Sequence, residues 1–330
     1  MPDFIKISAD ELKAEFNRIL ISVGFDQQKA STCAGVFASN SIDGVYSHGV
    51  NRFPKFIAMV KKGAIDVNAE AVCKNKAGNI EQWDGQKGPG IVNALKCTDR
   101  AVEIAKSSGI GCVALAHTNH WMRGGTYGWR AAKAGCIFIG WSNTIANTPP
   151  WGAVNHKLGN NPLVIAVPYE DDAIVLDMAM SQFSYGALEM YELKNEELPV
   201  QGGYDTKGKL TTDPSEIKKS QRSLPIGYWK GSALSLLLDI LAAGLSGGLS
   251  VAEISKQDME KNLSQVFICI DNRTENSIIK NIIEDFKASI PESPGKTVRY
   301  PGENVIKTRK KNLTEGVPVS RTVWEEIRTL

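Results

Sequence analysis

Four histidines serve 330 residues, and one of them stands in "VYSHGVNRF", residues 45–53, directly after a serine and four positions before an arginine. Proton transfer to or from a carbonyl needs a group that titrates near neutrality, which imidazole does. An anionic substrate needs a guanidinium, whose planar fork grips a carboxylate through two parallel hydrogen bonds. "SHGVNR" supplies both, with His48 as acid or base, Arg52 as the fork and Ser47 as an orienting hydroxyl. Gly49 allows close approach of a substrate or of the backbone. The same residues also read as the solvated start of a helix, and spacing alone leaves both readings open.

A second dense patch, "HTNHWMRGGTYGW" (117–129), holds His117, His120, Asn119, Arg123, paired glycines and two tryptophans just after a strand-like run. Strand-end loops of α/β proteins commonly hold ligands; a packed turn with Trp121 and Trp129 in the core is the competing reading. His117 and His120 lie three apart without a third ligand, so no metal site is expected. His156, in "AVNHKLGNN", reads as a surface residue. "SNTIANTPPWG" (142–152) ends a strand in hydroxyls, amides and a rigid turn suited to a pocket rim. Asp177 falls inside an apolar strand, where a carboxylate requires a partner such as a histidine or backbone donors. Lys230, in "GYWKGS", sits at a helix start and offers charge and amides to an anion.

Elements must position these groups. Ser8 with Glu11 marks a helix start before "ELKAEFNRILISVG", Gly24 its end, and Asp26 opens "QQKASTCAGVFASNSID", so the first 45 residues form a helical hairpin. Asn51 is the expected N-cap of a third helix carrying Phe53, Phe56, Ile57 and Val60, with Pro54 in its first turn. Strand-like runs follow at 109–117, 135–143, 161–169, 173–181 and 265–272, interleaved with helices over "NALKCTDRAVEIAKSSG", "TYGWRAAKAG" and 232–246. The pattern is α/β, and the close pair at 161–181 forms a hairpin, which makes the sheet mixed. Residues 200–222 are expected as a long polar surface loop.

Composition bounds the rest. The 38 basic and 36 acidic residues leave a net charge of +2 with no basic stripe, which argues against nucleic acid or a membrane surface as partner. Six scattered cysteines without metal spacing read as reduced, buried thiols. The charged N-terminus lacks an export h-region, and "SALSLLLDILAAGLSGG" is too short to span a bilayer and carries Asp239. A cytoplasmic protein is expected. "GIGCVA" matches the dinucleotide fingerprint in letters only, because a helix precedes it and a strand follows, the reverse of what a phosphate loop needs.

Taken in order, "YSHGVNRFP", "NHWMRGGTYGW", "NTIANTPPWG", "GNNPLVIAVP", "LDMAMSQFSYG", "LPIGYWKGS" and "YPGE" resemble the type 2 malate/L-lactate dehydrogenase family across the whole chain. Details of the first, second and sixth motifs are similar to its sugar-acid branch. The resemblance implies an NAD(P)-dependent oxidoreductase, a homodimer, and a mixed, largely antiparallel cofactor sheet of non-Rossmann type with an N-terminal helical region. It implies reduction of a sugar-derived keto acid by NADH, NADPH being the alternative cofactor, with His48 as general acid and with Ser47, Arg52 and His120 on the substrate. Cofactor contacts are implied at Ala173, Ile174, Val175, Leu176, Asp177, Met178 and Ala179, at Trp229 and Lys230, and at Gly302, Glu303 and Asn304. Expected boundaries are a helical region over 1–72, joined by a segment from about 295 to 330, and an α/β body over 73–294. Malate, lactate or ureidoglycolate chemistry, a cofactor-independent isomerase pairing His48 with His120, and a non-catalytic sensor are the rival expectations.

Overall fold

The structure, a computed structural model, describes residues 3–273 and 276–330. A short strand, β1 (Phe4–Ile7), precedes α1 (Ala9–Ser22) and α2 (Gln27–Ile42). Ser8 caps α1 by accepting from the Glu11 N–H at 3.1 Å, and Asp26 caps α2 by accepting from Lys29 N–H at 2.8 Å. Two single 3-10 turns, Tyr46–His48 and Val50–Arg52, then lead into α3 (Phe53–Lys61). Asn51 is thus not the helix cap: Arg52 occupies that position and no side chain caps α3, while Pro54 does lie in its first turn. The cause is α2. The Val50 N–H donates to Ser41 Oγ at 2.8 Å, and a Cβ at Gly49 would stand 2.3 Å from that same oxygen, so the chain hugs α2 for two turns before a helix can start.

The body follows as β2 (Val72–Ala77), β3 (Ile80–Asp84), α4 (Gly90–Ser108), β4 (Ile110–Thr118), α5 (Gly125–Lys133), β5 (Cys136–Ser142), β6 (Leu163–Tyr169) and β7 (Asp172–Met178). Next come α6 (Tyr185–Lys194), β8 (Gly203–Tyr204), β9 (Leu210–Thr211), α7 (Pro214–Ser220), α8 (Trp229–Ser246), α9 (Val251–Ile254) and β10 (Leu263–Asp271). The chain closes with α10 (Asn276–Lys287), α11 (Glu303–Glu315), β11 (Val317–Ser320) and α12 (Arg321–Arg328). The 200–222 stretch is not a featureless loop, because Asp213 accepts from the N–H groups of Ser215 and Glu216 and starts α7 at Pro214. Ile217 then buries against Leu188 and Leu198, giving this excursion a small core of its own.

Seven strands form one sheet in the order β2-β3-β4-β10-β5-β6-β7, antiparallel throughout except for the parallel pair β3-β4. The expected mixed α/β sheet is present, and the 161–181 hairpin is β6-β7. Strand alternation sorts side chains to two faces. Phe267 and Cys269 of β10 join Val113, Leu115 and Phe138 under α4 and α5, whereas Val266 joins Cys112, Ala114 and Trp141 under α8. Gly109 ends α4 at φ +90°, and a Cβ at Gly111 would stand 2.4 Å from the Ala101 carbonyl oxygen. The glycines of "GIGCVA" therefore turn the chain and let helix and strand pack.

A separate apolar cluster unites α1, α2 and α3 with Val317, Val319, Trp324 and Ile327 from the end of the chain. β1 pairs with β11, Phe4 opposite Ser320 and Ile7 opposite Val317. Phe53, the residue after Arg52, stacks on Phe16 at 4.3 Å and meets Phe37 edge-on at 5.1 Å, which anchors the motif in that core. Among the described residues no helix is long and apolar enough to cross a membrane.

Candidate active site

The fold brings the two histidine-bearing motifs together. The His48 and His120 rings lie 5.8 Å apart and nearly parallel, at 24°. His48 is held through its backbone, whose carbonyl accepts from Asn40 Nδ2 at 2.9 Å, and through its ring, whose Nδ1 lies 3.0 Å from Ser47 Oγ. Asn40 in turn accepts from Thr126 Oγ1 at 2.8 Å, tying α2 to the start of α5. His120 Nδ1 accepts from the Met122 N–H at 2.9 Å, so in the neutral ring the proton resides on Nε2. The start of α4 fixes this loop from behind, since a Cβ at Gly90 would lie 2.1 Å from the Asn119 carbonyl oxygen.

Both imidazoles are held neutral. Burial pushes His48 down to about 3, helped by the closeness of the His120 ring, which disfavours protonating both, and by the positive charges of Arg52 and Arg123, and opposed by Glu260. Burial, then Arg52 and Lys55, takes His120 down to about 3 as well. The protonated ring that a general acid needs is therefore not the resting state of His48, and a negative charge entering the site favours its second proton.

Arg52 is poised to receive that charge. Its guanidinium makes no hydrogen bond among the described residues, and its one ion pair, to Glu260, is loose at 3.7 Å. Glu260 is itself oriented by the Ile145 N–H, 3.3 Å from Oε1, which brings the "SNTIAN" segment next to the site. Sequence reasoning missed Glu260, because nothing in "QDMEKNL" distinguishes it from other surface acids. Ser47, His48, Arg52 and His120 thus share one site, whereas His117 turns away to Asp84, with Nδ1 to Oδ2 3.2 Å. Among the described residues no cluster of potential ligands could hold a metal.

Behind the site runs a chain of charges, buried at Asp43 and Arg123. Arg123 donates to Asp43, which also accepts from Arg309 Nε at 2.6 Å and Nη2 at 2.9 Å. On its other side Arg123 Nε faces Asp177 at 3.9 Å. Asp177 accepts from the Gly125 N–H at 2.8 Å; desolvation raises its pKa against the pull of Arg123 and of that N–H. The partner anticipated for Asp177 exists, an arginine with a backbone donor in place of a histidine.

The remaining segments meet along β7, which ends the sheet. The Val175 N–H donates to the Pro301 carbonyl at 3.1 Å, and Gly302 follows so closely that a Cβ would lie 3.2 Å from Val175 N and 3.3 Å from Trp129. Glu303 pairs with Lys307 at 2.9 Å and Lys287 at 3.4 Å, and Asn304 continues α11. Past the other end of β7, Met180 accepts from the Ile226 N–H at 2.8 Å, which brings in the start of α8. There Trp229 is 62 % exposed and Lys230 Nζ enters no ion pair among the described residues. The amides expected to greet an anion are already used: those of Lys230, Gly231 and Ser232 donate to Gly227, Ile226 and Tyr228 carbonyls. Lys230 keeps its charge to offer, not its N–H.

A sequence model of the malate/L-lactate dehydrogenase family matches residues 7–328. Proteins of several Escherichia coli strains named 2,3-diketo-L-gulonate reductase are 44% identical to this chain over 333 residues, covering 99% of it and 100% of their own length. Among solved structures, malate dehydrogenase from Entamoeba histolytica superposes with a TM-score of 0.92 at 24% identity, covering 99% of this chain and 97% of its own. A putative malate/lactate dehydrogenase from E. coli gives 0.91 at 26% identity, covering 98% and 93%.

Proposed function

The chain belongs to the malate/L-lactate dehydrogenase family, and from that premise we propose that it reduces a sugar-derived keto acid, 2,3-diketo-L-gulonate to 3-keto-L-gulonate, with NADH. The observation that carries this reading is the open Arg52 fork beside Ser47, His48 and His120. Arg52 and Ser47 hold the substrate carboxylate, and His120 lines the pocket with its Nε2–H turned from Met122. The arriving carboxylate supplies the negative charge that His48 needs to keep a second proton. His48 then gives that proton to the carbonyl oxygen as negative charge develops there, help worth roughly a hundred- to ten-thousand-fold in rate.

A nicotinamide cofactor, when bound, supplies the hydride. The donor set along β7 suits such a group: an exposed indole at Trp229, an unpaired cation at Lys230, and strand backbone from Ala173 to Ala179. Gly302, Glu303 and Asn304 complete the assigned contacts. The Asp177 and Glu303 carboxylates are already engaged, so these two residues contribute backbone. The sheet is antiparallel in all but one pair, β3-β4, rather than doubly wound and parallel, which supports a non-Rossmann site.

The 1–72 region with the C-terminal segment and the 73–294 body are proposed as two domains, supported by an apolar cluster drawn mainly from α1, α2, α3 and the 317–327 residues, which Ile91 and Met122 of the body also join. The protein is proposed to work in the cytoplasm as a homodimer through the outer face of α8, where Leu236, Leu237, Ile240 and Leu241, 45–55 % exposed, form one apolar stripe at helical spacing. The test is NADH oxidation followed spectrophotometrically, with 2,3-diketo-L-gulonate beside pyruvate, oxaloacetate and a no-substrate control. Selective oxidation with the diketo acid is the expected result; activity confined to a short keto acid would reassign the substrate.

A further inference from the structure

The proposed chemistry accounts for the carboxylate and keto carbons of the substrate but leaves its hydroxylated tail without partners. Two side chains outside the assigned set stand on elements that flank the site. Lys55 lies in the first turn of α3, three residues after Arg52 at its cap, hence on the same side and about 4.5 Å further along the axis. From the opposite side α6 presses onto Ser47: a Cβ at Gly186 would stand 2.9 Å from Ser47 Cβ and 3.4 Å from its Oγ. Glu189 follows Gly186 by three residues, on the face of α6 that meets Ser47. Both side chains are exposed, and neither enters an ion pair among the described residues. Their charges nonetheless reach the site. Arg52 lowers the Lys55 pKa, with Glu260 and Glu189 raising it in opposition, and Lys55 contributes to holding His120 neutral.

We propose that Lys55 and Glu189 recognise the tail of a polyhydroxylated acid, Lys55 Nζ donating to one hydroxyl and the Glu189 carboxylate accepting from another, beyond the carboxylate held by Arg52. The assignment deepens the proposed function and rests on it for where the carboxylate lies. A two- or three-carbon keto acid ends before it reaches either residue, so the pair selects for chain length and hydroxylation without touching the reacting carbons. Donor and acceptor together suit hydroxyls, which use both roles. A second carboxylate at the tail would meet Glu189 with like charge.

The test compares Lys55→Met and Glu189→Gln with wild type in two readouts. In steady-state reduction, each variant should raise KM for 2,3-diketo-L-gulonate about tenfold, leave its kcat within about twofold and leave KM for pyruvate unchanged. In calorimetry with NADH present, the unreactive probe gluconate should lose about tenfold in affinity while lactate holds. Equal losses for long and short acids, or no loss for either, would overturn the proposal, as would wild type binding gluconate no more tightly than lactate. Should wild type fail to turn over the diketo acid yet bind gluconate in a Lys55-dependent way, the proposed substrate falls and this site stands. Unaltered quenching of protein fluorescence by NADH shows that each variant is folded.

Discussion

At the scale of residues, the site is a charge trap built around two neutral imidazoles. Replacing His48 by alanine is expected to lower kcat by roughly a hundred- to ten-thousand-fold with little change in NADH affinity, measured by fluorescence titration. The pH dependence follows from the lowered pKa. Because free His48 loses its second proton near 3, the fraction able to donate drops about tenfold per pH unit between about pH 5 and 8. The kcat/KM for reduction should therefore decline steadily with rising pH. In the complex the substrate carboxylate raises the His48 pKa, so kcat should hold level until a higher pH before it declines. Oxidation of the hydroxy acid needs the neutral ring and should stay flat over the same range; a reduction rate that rises with pH would rule His48 out as the proton donor. Ser47, His48, Arg52 and His120 were visible in the sequence because chemically rich residues cluster there. Glu260, Lys55 and Glu189 were not, since a lone acid or lysine among surface charges acquires meaning only from what the fold sets opposite it.

At the scale of elements, the buried Arg123–Asp43–Arg309 bridge joins the end of α2, the His120 loop and α11. Asp43→Asn leaves two arginines short of one buried countercharge, a defect costing about 3–5 kcal/mol and expected to lower the melting temperature by on the order of 10 °C, measurable by calorimetry. An unchanged melting temperature would show that the bridge contributes nothing net. None of this was readable beforehand, since Asp43 stands before Gly44 and looks like an ordinary helix-end residue. Sequence did disclose the elements whose periodicity is strong: α1, α2, α4, α8 and the apolar strands β4, β5, β6, β7 and β10. It hid β2, whose "VCKNKA" is almost wholly exposed at the sheet edge, and the two-residue strands β8 and β9. It also misplaced the start of α3, because the restraint there is tertiary: Gly49 and Val50 are held against Ser41 of α2, a packing contact that no local capping signal reports.

At the scale of the whole molecule, the outer face of α8 adjoins the start of the same helix, where Trp229 and Lys230 stand. For the proposed homodimer, Ile240→Glu should reduce the mass read by light scattering from two chains to one and weaken NADH binding with it; a wild type of single-chain mass, or a variant that stays dimeric, would overturn that interface. The pairing of β1 with β11 has a different reach. The core that seats Phe53, and through it Arg52 and His48, includes Val317, Val319, Trp324 and Ile327. During synthesis the first 60 or so residues leave the ribosome early, with Val317, Val319, Trp324 and Ile327 of their core not yet translated. They must wait, as a partly exposed helical hairpin, while the entire sheet is made. The pocket can therefore close only after Val317, Val319, Trp324 and Ile327 have been made, long after the residues they seat.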